Sequence, residues 1–473
     1  MKQEFNGRIL LIGCGSIGQG VLPLLFRHFT VTPERVSIVT ADQRGEAVAR
    51  QHGVRFIIDP LKPDNFATIV RSHIGPGDFL LNVSVDVASA ALIELCQRSN
   101  ILYLDTCIEP WPGAYTDPER SISERSNYAL RDAALQLRSL SGIEGPRPTA
   151  VLAHGANPGL VSHFVKQALL NIAADSGESL AKIPANQQAW AELSHRLGVK
   201  VIHIAERDTQ TSAVPKKIGE FVNTWSIDGF YSEASQPAEM GWGTHEKRLP
   251  ADGRHHEFGC QSAIYLQQAS FMTKCRSWTP TAQAQHGWIV THHESIAIAD
   301  FLTLRDGDTV TYRPTVHYAY RPCDAAVLSL DELAGNNNQL QSEQRLISDD
   351  ILPGGVDELG VLLMGHQKNA YWFGSQLSID QTRKLVSYNN ATSLQVTASM
   401  IGAMVWAMQN PQSGIVDAEQ VDHRLTLEVA YPYLGEILGV YSDWNPLHGR
   451  GNKLFPESLD HEDPWQFSNF RVC

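Results

Sequence analysis

The sequence predicts a mixed α/β chain, with an N-terminal, doubly wound parallel sheet over residues 1–155 and a second, α+β domain with a largely antiparallel sheet over 156–473. Three observations lead there. Short apolar runs alternate with helix-spaced segments through the first part, the pattern of βα units in a parallel sheet covered on both faces. A cluster of glycines marks the turn out of the first apolar run. From about residue 200 the texture changes to β-branched and aromatic runs at hairpin spacing. A length of 473 residues also exceeds what one hydrophobic core usually supports, in keeping with two domains.

The run RILLI at 8–12 predicts the first strand, and the spacing of Ile17, Val21, Leu24 and Leu25 predicts a helix over 16–26. Further strands are predicted at 36–40, 55–58, 78–83, 101–105 and 150–154. Helices are predicted through 47–48 and over 87–98 and 123–138, with a loop at 141–148. In the second domain VKVIHIAERDTQ, EFVNTWSIDGFYSEA, SAIYLQQASF, GWIVTHHESIAIADFLTL, TVTYRPTVHYAY and YWFGSQLS read as strands. The segment 391–408 has helical spacing and could pack back on either domain, and the polar stretch 333–344 reads as an exposed loop.

Acidic residues outnumber basic ones, 51 against 38, and a formal net charge of -13 repels phosphate backbones, so nucleic acid is not an expected partner. The same excess would gather small cations. Cys14, Cys96, Cys107, Cys260, Cys275, Cys323 and Cys473 include no C-x-x-C pair, a pattern of reduced thiols in cytosol. The N-terminus lacks a signal-peptide layout and no later apolar stretch reaches the length of a membrane span, so a cytoplasmic protein with no membrane partner is expected.

Gly13-x-Gly15-x-x-Gly18 lies between a predicted strand and a predicted helix, the context a dinucleotide-binding Rossmann unit requires. Gly13 permits the tight turn, Gly15 lets backbone amides approach a pyrophosphate, and Gly18 allows close helix packing. Ser16 and Ile17 open a helix whose N-terminus favours an anion. Asp42 follows Gly18 by 24 residues, where a carboxylate accepts from ribose hydroxyls and repels a 2′-phosphate. NAD is therefore the expected cofactor, although Arg44 could compensate a phosphate. Ligands of such sheets lie beyond the carboxyl ends of the strands, which brings Asn82 to Asp86 and Thr106 to Glu109 within reach of the nicotinamide, unless they are ordinary loop or core residues.

Beyond this unit, ILLIGCGSIGQGVLPLL, YLDTCIEPWPG at 103–113, HGANPGLVSHFV at 154–165 and NTWSIDGFYSEA at 223–234 together resemble the bacterial homospermidine synthases, relatives of the saccharopine dehydrogenases. The resemblance runs over essentially the whole chain. It implies a homodimeric transferase that recycles NAD. One putrescine is oxidised to an imine, ammonia leaves, a second putrescine attacks, and reduction gives homospermidine. Spermidine as a further donor is left open.

That chemistry has a physical demand. An alkylammonium with a pKa near 10.4 must lose its proton first, at a cost of about 4.6 kcal/mol at pH 7. Carboxylates should hold the distal ammonium, and neutral groups, Asn157 and a histidine, belong at the reacting end. By resemblance Glu206, Trp225 and Glu233 line the amine tunnel, Trp225 offering a π face to a cation. Asp86 and Glu109 approach from the nucleotide domain, and Asn157, His292 and Asp357 complete the set. His292 is preferred to His293, although neighbours on a strand face opposite sides and the sequence does not choose. Without the resemblance Trp225 would read as core, and Glu206 and Glu233 as solvated. The run THHESI lacks zinc-like spacing, so no metal is expected.

The rival is a reductase of a carboxylated imine, as in saccharopine or carboxynorspermidine dehydrogenases, whose substrates need arginine clamps. Arg254, Arg313 or Arg321 could reach inward to supply one, whereas Arg207 should face away from Glu206. From another class, a non-enzymatic NAD sensor would scatter the acidic and aromatic set over the surface.

Overall fold

The computed structural model describes residues 2–142, 145–178, 182–451, 454 and 456–472. Cys473 and residues 143–144 of the expected 141–148 loop lie outside the described residues. The first layer runs β1 (Ile9–Ile12), α1 (Ser16–His28), β2 (Val36–Thr40), α2 (Glu46–Gln51), β3 (Arg55–Ile58), α3 (Phe66–His73), β4 (Phe79–Asn82), α4 (Ser89–Ser99), β5 (Leu102–Asp105), α5 (Asn127–Gln136) and β6 (Ala150–Leu152). Their order in the sheet is β3-β2-β1-β4-β5-β6, every pair parallel. Buried on both faces, β1 and β4 are continuous apolar runs rather than alternating ones. A seventh parallel strand, Ile415–Asp417, pairs with β6, although the sequence reading ends this layer near 155. Three residues are too few to show any periodicity.

The second layer runs α6 (Leu160–Asp175), α7 (Gln187–Leu197), β7 (Val201–Asp208), β8 (Glu220–Asn223), α8 (Ile227–Ser235), β9 (Pro237–Gly241), β10 (Gly253–His255), β11 (Ala263–Ala269), β12 (Lys274–Thr279), β13 (Gln283–Trp288), α9 (His293–Phe301), β14 (Leu304–Asp306), β15 (Thr309–Tyr312), β16 (Thr315–Arg321), α10 (Asp324–Gly335), β17 (Glu343–Leu346), β18 (Val356–His366), β19 (Asn369–Ser378), α11 (Ile379–Leu385), α12 (Ala391–Gln409), the returning strand as β20, α13 (His423–Ala430) and β21 (Glu436–Ser442). The large sheet orders β10-β11-β9-β16-β7-β18-β19-β21, antiparallel except for the central β16–β7 pair. Its register sets Glu206 opposite Tyr320 and Leu359, and Asp208 opposite Asp357, so acids and tyrosines share one face of the three central strands.

Four expectations are corrected. The run through Trp225 and Glu233 is not a strand beyond Asn223, because Ser226 caps a helix by accepting from the Gly229 amide, and Ile227, Phe230 and Ala234 bury its inner face. The run through His292 and His293 is a coil leading into α9, nearly all of whose residues are buried, so it shows no periodicity to read. The expected loop at 333–344 is shorter, since α10 extends to Gly335 and β17 begins at Glu343. Finally, α12 does have the length and apolarity to cross a membrane, with a mean hydropathy of 1.2, yet 89% of that window is buried inside the protein. It packs against α1, β5 and β6 of the first layer and β18 and β19 of the second.

Candidate active site

A cavity of about 990 Å³ follows the carboxyl ends of the first sheet's strands, from Leu61 past Asp42, Gly13, Asp86 and Thr106 to Asn157, and continues to Glu206 and Tyr318 on the second sheet. One end is made by backbone. Gly13 has φ +92, and a Cβ there would meet the Val83 carbonyl at 2.9 Å. A Cβ on Gly18 would meet the Gly13 carbonyl at 2.8 Å, whereas one on Gly15 meets nothing within 4 Å and would project into open space. The first turn of α1, opened by Ser16 and Ile17, holds no acidic residue, so its amides face the cavity without a competing anion. These features fit a dinucleotide pyrophosphate. Asp42 lines the same end, paired with Arg44 at 2.8 Å, and the guanidinium holds its carboxyl below the ordinary value.

The other end is made by side chains. The Asn157 amide donates to Glu206 Oε2 at 2.7 Å and also reaches the Tyr318 hydroxyl, which donates to the same carboxylate oxygen. Burial pushes the Glu206 carboxyl up to about 7, against the pull of these donors. Behind it lie Asp208, raised by burial to about 6, and Asp357, raised further by burial and by Glu206 and Asp208. Asp357 accepts from the Thr392 hydroxyl, and its second oxygen is buried without a hydrogen-bond partner.

His292 caps α9, with Nε2 3.0 Å from Glu233 and Nδ1 3.3 Å from Glu294. Burial alone would discharge this ring, but the two carboxylates outweigh it and hold the imidazolium well above its ordinary value. The expectation of a neutral histidine is thus corrected, and the cavity groups poised near neutrality are Glu206 and Glu109. The ring lies edge-on to Tyr318 with centroids 4.6 Å apart. His293 turns away to Asp417, 3.1 Å distant, so of the two histidines only His292 lines the cavity.

Trp225 lines the cavity just before α8, its indole N–H donating to the Tyr320 hydroxyl at 3.1 Å. Glu233 sits two turns along α8. Glu109 is pushed up to about 7 by burial and then by Glu233, and Asp86 is raised by burial and by Asp228.

Of the residues anticipated from sequence, Gly13, Gly15, Ser16, Ile17, Asp42, Asp86, Thr106, Glu109, Asn157, Glu206, Trp225, Glu233 and His292 meet in this cavity. Gly18, Asn82 and Asp357 stand behind its wall. Gly18 packs on the glycine turn, and the Asn82 side chain folds back to accept from the Ser84 hydroxyl at 2.6 Å. Tyr318, Glu294 and Asp228 were missed. Tyr318 was findable only with the β16–β7 register in hand, and Asp228 as the first-turn acid of an unrecognised helix. The cavity's described lining holds only two arginines or lysines, Arg44 and Lys62, both at the glycine-turn end. Arg207 points to Gln285, Arg254 to nearby carbonyls, Arg313 to Thr303 and Arg321 to Asp324.

Family models for the saccharopine dehydrogenase NADP binding domain and the saccharopine dehydrogenase C-terminal domain match residues 9–146 and 155–440. The chain is 50% identical to a homospermidine synthase of Blastochloris viridis, over 99% of this chain and 98% of that one. It is 46% identical to a homospermidine synthase of Mesorhizobium japonicum, over 99% and 97%. The crystal structure of the homospermidine synthase of Legionella pneumophila in complex with NAD superposes with a TM-score of 0.92 at 47% identity, covering 100% of this chain and 99% of that chain. The chain therefore belongs to the homospermidine synthase family, built on the saccharopine dehydrogenase fold.

Proposed function

We propose that the chain joins two putrescine molecules into homospermidine with release of ammonia, using NAD held along the glycine turn. The observation that carries this reading is the charge layout of the cavity: the two arginine or lysine side chains of its described lining, Arg44 and Lys62, are confined to the dinucleotide end, and at the other end Glu206, Glu233, Glu109 and Asp86 outnumber the single His292 imidazolium. A bare diamine suits that chamber, and a carboxylated imine finds no arginine clamp in it. Bound there, NAD supplies a two-electron acceptor that later serves as donor, so the exchange is redox-neutral. Gly13, Gly15 and the first turn of α1 would hold its pyrophosphate, and Asp42 its adenosine ribose. Because that carboxylate is already engaged by Arg44, it favours NAD less strongly than a free one would.

Glu206 takes the proton of the reacting ammonium. Its value near 7 leaves it partly ionised at neutral pH, and Asn157 and Tyr318 steady the anion. His292, charged between two glutamates, returns a proton to the nitrogen that leaves as ammonia. Trp225 presents its ring to the passing cation, and the bond to Tyr320 fixes the ring's orientation. Glu233 and Glu109 pair with the distal ammonium. As a homodimer in the cytoplasm the protein would meet free diamines directly.

Incubation with putrescine and NAD should give homospermidine and ammonia in equal amounts with no net NADH. Stoichiometric NADH, or turnover only with an α-keto acid, would overturn the reading.

A further inference from the structure

The short segment that carries His292 is gripped on both sides by one helix of the opposite layer. On one side the Thr291 hydroxyl donates to Glu239 at 2.6 Å, and the same carboxylate accepts the backbone amides of Asn127 and Tyr128, the first turn of α5, at 2.9 and 3.2 Å. The Asn127 side chain returns a bond to Thr291 at 3.2 Å. On the other side His293 meets Asp417, which accepts from Arg131 at 2.7 Å, one turn further along α5. Arg131 also reaches Asp300 on α9 itself, at 3.0 Å. Glu239, Thr291, His293, Asp417 and Arg131 are all buried, and none of them lines the cavity. His256 stands 3.6 Å from Glu239, and Glu419 and Asp105 lie close enough to His293 for charge interaction.

Buried charges of this kind add little net stability, since desolvation consumes most of the attraction, but they fix geometry sharply. Geometry is what His292 needs. Its ring sits at a coil-to-helix junction, and its partner Glu233 stands on a separate helix. We propose that α5 is the positioning element for this imidazole, Glu239 and Asp417 clamping Thr291 and His293 to it and so holding the ring between Glu233 and Glu294. The inference rests on the assignment of His292 to proton transfer. Thr291, His293, Glu239, Asp417 and Arg131 are then positioning residues, and β20 is in the first sheet to deliver Asp417.

The test uses the full chain with NAD and putrescine. Thr291→Val keeps the side chain's shape and deletes the hydroxyl; its kcat should fall about tenfold or more, with the putrescine KM within about twofold, because a displacement of an ångström suffices for losses of that order. Thr291→Ser should recover most of the rate. His293→Leu should show the same separation of kcat from KM; if it fails to fold, the Thr291 pair decides alone. Equal impairment of the valine and serine variants would overturn the clamp, as would a normal kcat in Thr291→Val while His292→Ala is crippled. A normal rate in His292→Ala would instead remove the assignment of His292, and the clamp's purpose with it.

Discussion

The two ends of the cavity are built in opposite ways. At the glycine turn the recognition elements are backbone: a positive-φ glycine, a glycine that leaves space open, and the amides of one helix's first turn, all within six residues of sequence. At the amine end they are side chains brought from β7, β16, α8 and the junction before α9, so that Glu206 and Tyr318 stand 112 residues apart and His292 and Glu233 59. A site made of main chain tolerates most side-chain change, whereas one made of mutually shifted acids depends on each member. Burial raises Glu206 to about 7, with the Tyr318 hydroxyl and the Asn157 amide opposing the rise and Asp208 adding to it.

The sharpest way to break this contrast is Glu206→Gln. It should cut kcat by about 100-fold or more and leave NAD affinity unchanged, as read by steady-state kinetics beside cofactor titration. Trp225→Ala comes next. Loss of a desolvated cation–π contact of about 2 kcal/mol corresponds to roughly 30-fold in kcat/KM, and Trp225→Phe should keep part of it. Glu233→Gln, whose side chain is 22% exposed, should raise the putrescine KM by about tenfold at most and move the pH profile by withdrawing one of the two carboxylates that charge His292.

The smallest effect concerns stability. Glu206, Glu109 and Asp208 hold their protons more tightly in the folded chain than in the unfolded one, with values of about 7, 7 and 6. The folded state therefore binds more protons, and stability falls as pH rises from the ordinary carboxylate range through about 7. A diamine supplies the missing positive charge, so putrescine should raise Tm more at pH 8 than at pH 6 in a thermal-shift series. Equal shifts would argue against an acidic chamber.

The same contrast explains what could be read in advance. The glycine fingerprint and Asp42 were legible because their meaning is local: a turn, a helix start and a strand end in a fixed order. Glu206 and Trp225 were reached by family resemblance, since a strand glutamate or one tryptophan among ten has no message of its own. The α8 segment was mistaken for strand because its aromatic content outweighed a 3.6-residue spacing over only nine positions. For α9 even that spacing is missing, because burial surrounds the helix. The charge state of His292 could not be foreseen, because it depends on Glu233, which reaches the ring only through tertiary packing.

The return of β20 to the first sheet has a consequence for how the chain comes off the ribosome. Until residue 415 has been synthesised, β6 presents an open edge of unpaired amides and carbonyls. The seven-stranded sheet is therefore completed only by a strand from late in the chain, and a fragment ending near 155 is expected to aggregate through the exposed β6 edge.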